Sequence, residues 1–398
     1  MNAWYQSLYA KHKINLNQQM GVVTTLNSAD GLQHAWEAAV NKVRFTSQTI
    51  GAQFPHGSHD GSFQLMAPSY WTAGFWPGIL WLVYRDQPDE RLRQMAVCCE
   101  EQLDNVLYRF TSLDHDMGFM WTLTAIANWR LTQNELSRER ALTAASHLAA
   151  RFNLKGQFIR AWNHSDRVGW AIIDCMMNLP LLYFAADQMK DPRFKHIAIG
   201  HADMVAKHFI REDGSAYHIV CFDPETGERV GARGGQGYAE ESAWARGCAW
   251  AIYGLVLSYQ HSLREPYLEA AKRAADFFLS HVPDDQVPYW DFRAPITEDT
   301  PRDSSAAAIA ACGLLDIAEA LEGERAAYYR SRALSILKSL YENYSANGTE
   351  QAVLLYGTGN LPGHQNIDRP LIYGDYFYME ALSKALGHSS FWQPDTTS

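Results

Sequence analysis

Two kinds of helix alternate along this chain from its second predicted helix onward. Helices of one kind are apolar on most sides and begin near residues 71, 118, 170, 242, 304 and 373, and helices with one charged face lie between them. A helix that is apolar nearly all round is enclosed by other helices, whereas a helix with a charged face borders water. The alternation therefore predicts two concentric layers of helices, joined as successive αα-hairpins.

An all-α fold, the (α/α)6 barrel in which six αα-hairpins form a toroid, is what this pattern favours. The whole chain, residues 1–398, is predicted to be a single domain, and its first helix spans about 29–52 with Ser28 or Asp30 as the N-cap. The inner helices are roughly 50 to 70 residues apart, which indicates a structural repeat without an obvious sequence repeat. The alternative is an open α-solenoid, which would need polar caps at both ends.

Strand patterns are sparse in this sequence. Residues 216–220 alternate in polarity, residues 223–227 have turn chemistry, and the chain returns over 228–231, so a short β-hairpin is predicted near 216–231. The glycine-rich segment 231–237 follows it. This segment lacks the Gly-Lys-Ser/Thr sequence and the strand-to-helix frame of a phosphate-binding loop, so we interpret it as a flexible connection.

Composition excludes several classes of function. The formal net charge of −10 argues against a nucleic-acid surface, which would need a basic stripe. No apolar run approaches the length of about 20 residues that a membrane span needs, and residues 1–20 contain no apolar core of a secretory signal. The six cysteines form no Cys-x-x-Cys pair, and most lie in apolar helical runs. These features predict a cytoplasmic protein. A monomer or a small homo-oligomer is expected, and no sequence feature distinguishes the two.

The polar and aromatic residues that stand out gather just before the predicted inner helices or in their first turns. In a toroid of hairpins, these connections all open on one face. The N-termini of the inner helices then direct their positive dipole ends toward a shared funnel. Such a funnel suits an anionic or polyhydroxylated ligand, and the 13 tryptophans offer flat faces on which sugar rings stack.

Asp174 and Asp116 are predicted to enter this funnel as a pair of acids. Residues 169–186 are predicted to form a buried helix that carries Asp174 with no Lys or Arg within a turn, so this carboxyl must find a partner or take up a proton. Glycoside chemistry commonly uses two carboxyls, one protonated and one ionised. We expect a raised pKa for Asp174 and an ionised Asp116 beside His115. The alternative, that both are N-caps, fits Asp116 better than Asp174.

Arg246 is the predicted partner for an anionic group of the ligand. It lies in an apolar run four residues from Trp250, so the two side chains share a helix face. A guanidinium can bind a carboxylate through two parallel hydrogen bonds while the indole stacks on the ring that bears it. The alternative is an Arg paired with a structural Asp. His115, His218 and Gln236 could add neutral hydrogen bonds. No metal-ligand spacing and no Gly-x-Ser-x-Gly motif is present.

Five short motifs resemble the unsaturated glucuronyl hydrolases, glycoside hydrolase family 88. They occur in order over nearly the whole chain, at residues 71–78 (WTAGFWPG), 115–119 (HDMGF), 174–180 (DCMMNLP), 244–247 (WARG) and 373–376 (YGDY). The resemblance implies an (α/α)6 barrel with neither metal nor cofactor. It also implies a substrate class: oligosaccharides left by polysaccharide lyases, with a 4,5-unsaturated uronic acid at the non-reducing end.

The resemblance implies a reaction unlike ordinary glycoside hydrolysis, because the family hydrates the C4=C5 vinyl ether. Asp174 would be the general acid/base that protonates C4 and activates water for C5, and Asp116 would hold ring hydroxyls and support Asp174. The remaining residues would be substrate contacts: His115, Trp71, His218, Gln236, Arg246, Trp250 and, on a weaker match, Trp162. Desolvation against Trp170 and Met177 would raise the pKa of the acid.

One segment departs from the family pattern. Relatives that favour sulfated disaccharides are expected to carry Ser and Lys in a loop before the last inner helix, whereas residues 363–370 here have neither and include Asp368. This favours unsulfated or lightly sulfated substrates. Three other functions stay open: an unsaturated rhamnogalacturonyl hydrolase of the same fold, a sugar epimerase using His115 and His218, and a non-enzymatic α-solenoid scaffold.

Overall fold

Six inner and six outer helices build the chain, which a computed structural model describes over residues 29–395. The outer helices are α1 Ala29–Ile50, α3 Glu90–Gln102, α5 Glu135–Ala149, α7 Pro192–His208, α9 Glu265–His281 and α11 Gly323–Tyr344. The inner helices are α2 Phe75–Asp86, α4, α6 Leu179–Met189, α8 Ala245–Ser262, α10 Ser304–Glu319 and α12 Ile372–Ala385. Helix α4 consists of Met117–Trp121, a π-helical turn Thr122–Ile126 and Ala127–Thr132. The predictions for Ser28 and for residues 1–20 lie outside the described residues.

The inner helices form a closed ring. Helix α8 packs against α10, α10 against α12, and α12 against α2, so the last inner helix meets the first. The α8–α10 contact is close: a Cβ added to Gly313 would lie 2.8 Å from Ile252 Cγ2. Closure confirms the (α/α)6 barrel and is incompatible with the open solenoid. None of the described helices is long and apolar enough to cross a membrane.

The prediction of one helix over residues 169–186 is wrong in its first half. The chain forms a strand, β5 Trp170–Ile172, then a 3-10 segment Ile173–Asn178, and only then helix α6. Pro180 lies in the first turn of α6, where its missing N–H and fixed φ do no harm. The same proline would have broken a helix that began at Gly169. Pro180 therefore indicated the correct start of α6 in the sequence.

Strand β5 belongs to a three-stranded antiparallel sheet that includes the predicted hairpin. Its partners are β6 Ile219–Phe222 and β7 Arg229–Arg233, in the order β5-β6-β7. Ile172 pairs with Ile219, which places the start of the 3-10 segment beside His218. The hairpin is thus confirmed a few residues later than predicted, and the sheet fixes the position of Asp174 relative to His218.

Two further hairpins were not predicted. Strands β1 Phe54–His59 and β2 Ser62–Met66 turn at Asp60 and Gly61, which both have positive φ. An Asp-Gly pair is a strong sequence indication of such a turn. Strands β3 Phe152–Asn153 and β4 Phe158–Ile159 are only two residues long, too short to leave an alternating pattern. The β1–β2 hairpin lies beside the entrance of the barrel, because Gly57 bridges to Leu371 just before α12.

The C-terminal segment packs against the inner helices beyond α12. Trp392 is fully buried, stacks on Phe377 and donates its Nε1–H to Glu380 Oε2 at 2.8 Å. Its carbonyl oxygen lies 2.8 Å from His261 Nε2, and Arg130 donates to the carbonyl of Phe391 at 2.7 Å. The segment is therefore an integral part of the barrel core.

Candidate active site

The predicted site residues come together where the loops before α2, α4, α6 and α8 converge. Asp174 lies beside His218, and His115 lies beside Asp116. These two pairs interact electrostatically with each other across the funnel. Two contacts extend this group to other predicted residues: Arg246 donates to Gln236, and Trp162 packs against His115. The sequence motifs, which are far apart in the chain, thus converge on one cavity.

Asp174 occupies the first turn of the 3-10 segment rather than the interior of a helix. Its side chain is 17% exposed, so it opens to the funnel, and its Oδ2 makes no hydrogen bond within the described structure. Burial raises the pKa of Asp174 to about 6, although the nearby His115 and Arg246 oppose the shift. The expected elevation of this pKa is therefore present, and Asp174 can hold a proton near neutral pH.

His218 is held in place by the loop that follows β7. Its Nδ1 lies 2.9 Å from the backbone N–H of Gln236 and 3.2 Å from the carbonyl oxygen of Gly234. Burial lowers the pKa of His218 to about 3, so the ring is neutral. Its Nε2 lies 3.5 Å from Asp174 Oδ2. The tautomer in which Nδ1 accepts from Gln236 carries its proton on Nε2 and can donate to the ionised form of Asp174, or to a ligand oxygen between the two groups.

Asp116 differs from its predicted state. It stands at the N-cap position of α4, but its side chain makes no capping hydrogen bond and is 13% exposed. Burial raises the pKa of Asp116 well above its ordinary value, and the charges of Asp114 and Asp174 raise it further. The direction of this shift favours the protonated form of Asp116 and runs against the expectation of an ionised carboxylate, which stays a prediction.

The hydrogen bonds of His115 agree with a proton on Asp116. His115 Nδ1 lies 3.0 Å from the carbonyl oxygen of Ala161, which can only accept, so Nδ1 carries a proton. Burial lowers the pKa of His115, so its Nε2 is a bare acceptor. That atom is 3.2 Å from Asp116 Oδ1. The contact is a hydrogen bond when Asp116 is the donor, in its protonated form.

Aromatic rings form the walls of the cavity. Trp71 is partly exposed and packs against Tyr373, with ring centroids 5.0 Å apart. Trp162, also partly exposed, meets His115 edge-on at 5.7 Å. Trp250 is fully buried between Phe119 and Phe377, and its Nε1 has no hydrogen-bond partner in the described structure. Trp71 and Trp162 therefore offer surfaces to a sugar ring, while Trp250 lies deeper, near Asp174.

Arg246 is buried and already paired within the protein. Its Nη1 donates to Asp303 Oδ2 at 2.6 Å and to the carbonyl of Thr358 at 2.7 Å. Its Nη2 donates to Gln236 Oε1 at 2.9 Å and to the carbonyl of Gly359 at 2.6 Å. The structural pairing that the sequence left as an alternative is therefore the one observed. Arg246 fixes Gln236 and the 358–359 segment around the cavity.

Two residues near the cavity were not predicted as site residues. Tyr373 lies under the guanidinium of Arg246, 5.2 Å from the ring centroid, and packs on Trp71. His56, from strand β1, is buried against Tyr70, and its Nε2 accepts from Asn366 Nδ2 at 3.1 Å. Tyr373 belongs to the motif at residues 373–376, but no role was predicted for it from the sequence. Nothing in the local sequence identifies His56 as a site residue. Only the β1–β2 hairpin's position brings it there.

One group of side chains could offer ligands to a metal ion within the described residues. Atoms of Asp114, His115 and Asp116 lie within 4.8 Å of one another. Asp114 Oδ1 accepts from the backbone N–H of Asp116, and His115 Nε2 faces the carboxyl of Asp116. The internal hydrogen bonds of this group account for its geometry.

Similar proteins point to one family. The sequence profile of Glycosyl Hydrolase Family 88 matches residues 43–386. The unsaturated chondroitin disaccharide hydrolase of Streptococcus pyogenes serotype M1 is 37% identical over 364 residues, which cover 89% of this chain and 91% of that protein. The unsaturated glucuronyl hydrolase of Bacillus sp. (strain GL1) is 38% identical over 374 residues, which cover 90% of this chain and 98% of that protein.

Solved structures of such enzymes share the fold. The crystal structure of unsaturated glucuronyl hydrolase from Bacillus sp. GL1, responsible for the degradation of glycosaminoglycan, matches with a TM-score of 0.88 and 37% identity, covering 92% of this chain and 100% of that one. A mutant of unsaturated glucuronyl hydrolase from Streptococcus agalactiae, complexed with dGlcA-GalNAc6S, matches with a TM-score of 0.81 and 31% identity, covering 92% and 94%.

Proposed function

Because this chain belongs to Glycosyl Hydrolase Family 88, we propose that it removes a 4,5-unsaturated glucuronic acid from the non-reducing end of oligosaccharides that polysaccharide lyases release. As a member of that family the protein is a glycoside hydrolase. The observation that carries the proposal is Asp174: a buried carboxyl with a pKa of about 6, open to a cavity, with His218 and Trp250 beside it and no cation of the described chain in direct contact. An ordinary structural aspartate has no need of this arrangement.

The reaction proposed is hydration of the C4=C5 double bond. Asp174 gives its proton to C4, and the positive charge that develops at C5 is shared with the ring oxygen. The resulting Asp174 carboxylate then takes a proton from a water molecule, whose oxygen bonds to C5. The product is a hemiketal, which opens to a ketone at C5. The hemiacetal left at C1 then expels the remaining sugar and leaves an aldehyde.

The neighbouring residues support this use of Asp174. Protonation of carbon is difficult, so an acid whose pKa lies near the working pH is an advantage. With its proton on Nε2, His218 lies 3.5 Å from Asp174 Oδ2 and can stabilise the carboxylate that forms after the first step. Asp116 faces His115 Nε2 with its Oδ1, which leaves the other oxygen of the carboxyl to accept from a ring hydroxyl. Trp71 and Trp162 provide the stacking faces.

The role proposed for Arg246 is to shape the cavity and to supply positive potential for the substrate's carboxylate. Its terminal nitrogens donate to Asp303, Gln236 and two carbonyl oxygens, so a direct contact with the substrate would require one of these bonds to break. A buried cation acts over several ångströms through the low-dielectric interior. The amide N–H groups of Gln236 are left free to donate to the carboxylate, and Arg246 holds the opposite oxygen of that amide.

The preference proposed is for unsulfated or lightly sulfated substrates. Residues 363–370 contain no Lys or Ser and include Asp368, which would repel a sulfate. Burial raises the pKa of Asp368, although Arg302 and Arg369 oppose the shift. Turnover of matched disaccharides with and without a 6-sulfate measures this preference directly, and faster turnover of the sulfated compound would contradict it.

One assay tests the proposed function. The C4=C5 double bond of unsaturated uronates absorbs in the ultraviolet, so its hydration is followed as a loss of absorbance. We expect the absorbance to fall with lyase-generated unsaturated disaccharides and one equivalent of free amino sugar or hexose to appear. Constant absorbance with every uronyl disaccharide would refute the proposal. Loss of absorbance only with unsaturated galacturonyl-rhamnose would support the rhamnogalacturonyl alternative, which the His115–Asp116 pair disfavours.

A cytoplasmic location is proposed from the thiols. All six cysteines are free, and Cys99, Cys175 and Cys312 are fully buried in apolar surroundings. Disulfides persist in oxidising compartments, whereas unpaired thiols are usual in a reducing cytoplasm. Fractionation of cells with an antibody to the protein tests the location, and gel filtration with light scattering tests whether it is a monomer or a small homo-oligomer.

A further inference from the structure

Two adjoining hollows run outward from the proposed active site along the rim of the barrel, and we call them together the rim groove. The inner hollow has a volume of about 280 Å³ and is bounded by Ser112, Asp114, Trp162 and His164. The outer hollow has a volume of about 390 Å³ and is bounded by Ser69, Asn105, Arg109 and Ser112. Ser112 belongs to both walls, so the two hollows adjoin.

The inner hollow begins at the proposed reacting centre. Trp162 contacts the ring of His115 at 5.7 Å, and His115 in turn contacts Asp116 at 3.2 Å. This surface is a route by which a sugar attached to the unsaturated ring can leave the cavity. Asp114 lies in the same wall, so an anionic group on the sugar that stacks here should point away from Asp114, toward the outer hollow.

The outer hollow differs in charge and in its supply of donors. Arg109 is exposed there, and its guanidinium makes no ion pair or hydrogen bond within residues 29–395. The side chains of Asn105 and Ser69 likewise have no hydrogen-bond partner in this range. An arginine without a carboxylate partner is a ready site for a carboxylate or sulfate. The charge along the groove thus changes from negative at Asp114 in the inner hollow to positive at Arg109 in the outer one.

The loop that carries Arg109 is fixed relative to Trp162. Ser112 donates from its N–H and its hydroxyl to the carbonyl of Arg109 at 2.9 and 2.8 Å. Asn163, next to Trp162, donates to the carbonyls of Thr111 and Leu113 at 2.9 and 2.7 Å. The two walls are therefore joined by hydrogen bonds, and the groove exists before a ligand binds.

We propose that the rim groove binds the reducing-end part of substrates longer than a disaccharide, with Arg109 contacting an anionic group. This inference rests on the proposed function. The second sugar stacks on Trp162 beside Asp114, and the third sugar reaches Arg109, where the carboxylate of a further uronic acid would lie. A sulfate on the second sugar is the other source of the same anionic chemistry. The enzyme then distinguishes oligosaccharides by length as well as by their unsaturated end.

The test compares kcat/KM for three substrates: an unsulfated unsaturated disaccharide, the same disaccharide with a 6-sulfate, and the unsulfated tetrasaccharide. We expect Arg109→Gln to lower kcat/KM for the tetrasaccharide roughly three- to fivefold through KM, as is typical of an exposed ion pair. The unsulfated disaccharide should be unaffected. Arg109→Lys, which keeps the charge, should restore most of the loss, and added salt should weaken the wild-type preference.

A matched control is Arg193→Gln on helix α7, a 71%-exposed arginine far along the chain from the groove. It removes the same charge and should change none of the three values. A loss confined to the sulfated disaccharide would assign the anion to a sulfate on the second sugar. An unchanged ratio of tetrasaccharide to disaccharide together with an unchanged sulfated disaccharide would overturn the inference. Failure of the wild type on every disaccharide would instead refute the proposed function, and this inference with it.

Discussion

At the scale of single residues, the proposed chemistry depends on acids that the protein buries without a directly paired cation in the described part of the chain. Asp174 and Asp116 both have raised pKa values, chiefly because burial disfavours their charged forms, and the charge of Asp174 raises the pKa of Asp116 further. Burial also lowers the pKa values of His115 and His218, which favours their neutral rings. Asp174 is therefore suited to give a proton to a neutral substrate bond.

Asp174→Asn is expected to abolish nearly all activity while the fold is kept. The amide has the size of the carboxyl but cannot give a proton to carbon, and general acid catalysis typically contributes about 10²–10⁴-fold. The measurement is kcat with an unsaturated disaccharide, accompanied by circular dichroism and a melting curve. Asp166→Asn, at an exposed rim position, is the control and should retain wild-type kcat. An Asp174→Asn enzyme within tenfold of wild type would remove Asp174 from the acid role.

The dependence of activity on pH should follow the protonation of Asp174. Its acid form is present below a pKa of about 6 and is lost above it, so kcat/KM should fall by about tenfold per pH unit on the alkaline side. The substrate's own carboxylate stays ionised throughout this range. Initial rates from pH 4.5 to 8.5 at constant ionic strength measure the profile. A value of kcat/KM that stays constant between pH 5 and 8 would contradict the assignment.

At the scale of elements, the short β5-β6-β7 sheet determines how Asp174 and His218 meet. Strand β5 leads directly into the 3-10 segment that carries Asp174, and His218 immediately precedes β6. The loop after β7 then returns to His218, since the N–H of Gln236 donates to its Nδ1. A few strand residues inserted in a helical barrel thus position the acid, its histidine and Gln236 together.

Gly235→Ala should therefore reduce activity through His218. Gly235 has a φ of +59°, and a Cβ there would lie 2.2 Å from His218 Nδ1, so the ring or the loop must move. Misplacement by about 1 Å can cost on the order of 10²-fold in rate. We expect a fall of about 10- to 100-fold in kcat/KM with Asp174 intact.

The control for that variant is Gly231→Ala on strand β7, where an added Cβ meets nothing within 4 Å. It should leave kcat/KM and the melting temperature close to the wild-type values. Equal losses in the two variants would show that the sheet tolerates no substitution in general. Full activity of Gly235→Ala would show that the position of His218 does not matter to the reaction.

At the scale of the whole molecule, two sets of contacts complete the barrel. Contacts between α12 and α2 close the ring, and the segment after α12 fills its interior with Trp392. The C-terminal segment also satisfies buried acids of the inner helices: Glu380 accepts from Trp392, and Asp316 accepts from Gln393. The C-terminal residues therefore contribute to the stability of the entire fold.

Trp392→Ala is expected to lower the free energy of unfolding by about 3–5 kcal/mol, the usual cost of removing a buried tryptophan. The hydrogen bond from Trp392 to Glu380 Oε2 is lost as well, although that oxygen keeps its bond from Tyr376. Denaturation with urea, followed by tryptophan fluorescence and circular dichroism, measures it. Ile296→Ala, at a side chain 65% exposed, is the control and should change stability by less than about 0.5 kcal/mol. A loss below 1 kcal/mol for Trp392→Ala would contradict the role of this segment.

The architecture could be predicted from the sequence, because helix polarity repeats along the chain, and the local motifs before the inner helices predicted which residues converge on the cavity. Pro180 and Asp60-Gly61 also mark the start of α6 and the β1–β2 turn in the sequence. The raised pKa of Asp116, the pairing of Arg246 with Asp303 and the approach of His56 could be seen only in the folded chain. Each of these depends on burial and on charges brought from distant segments, which no local pattern records.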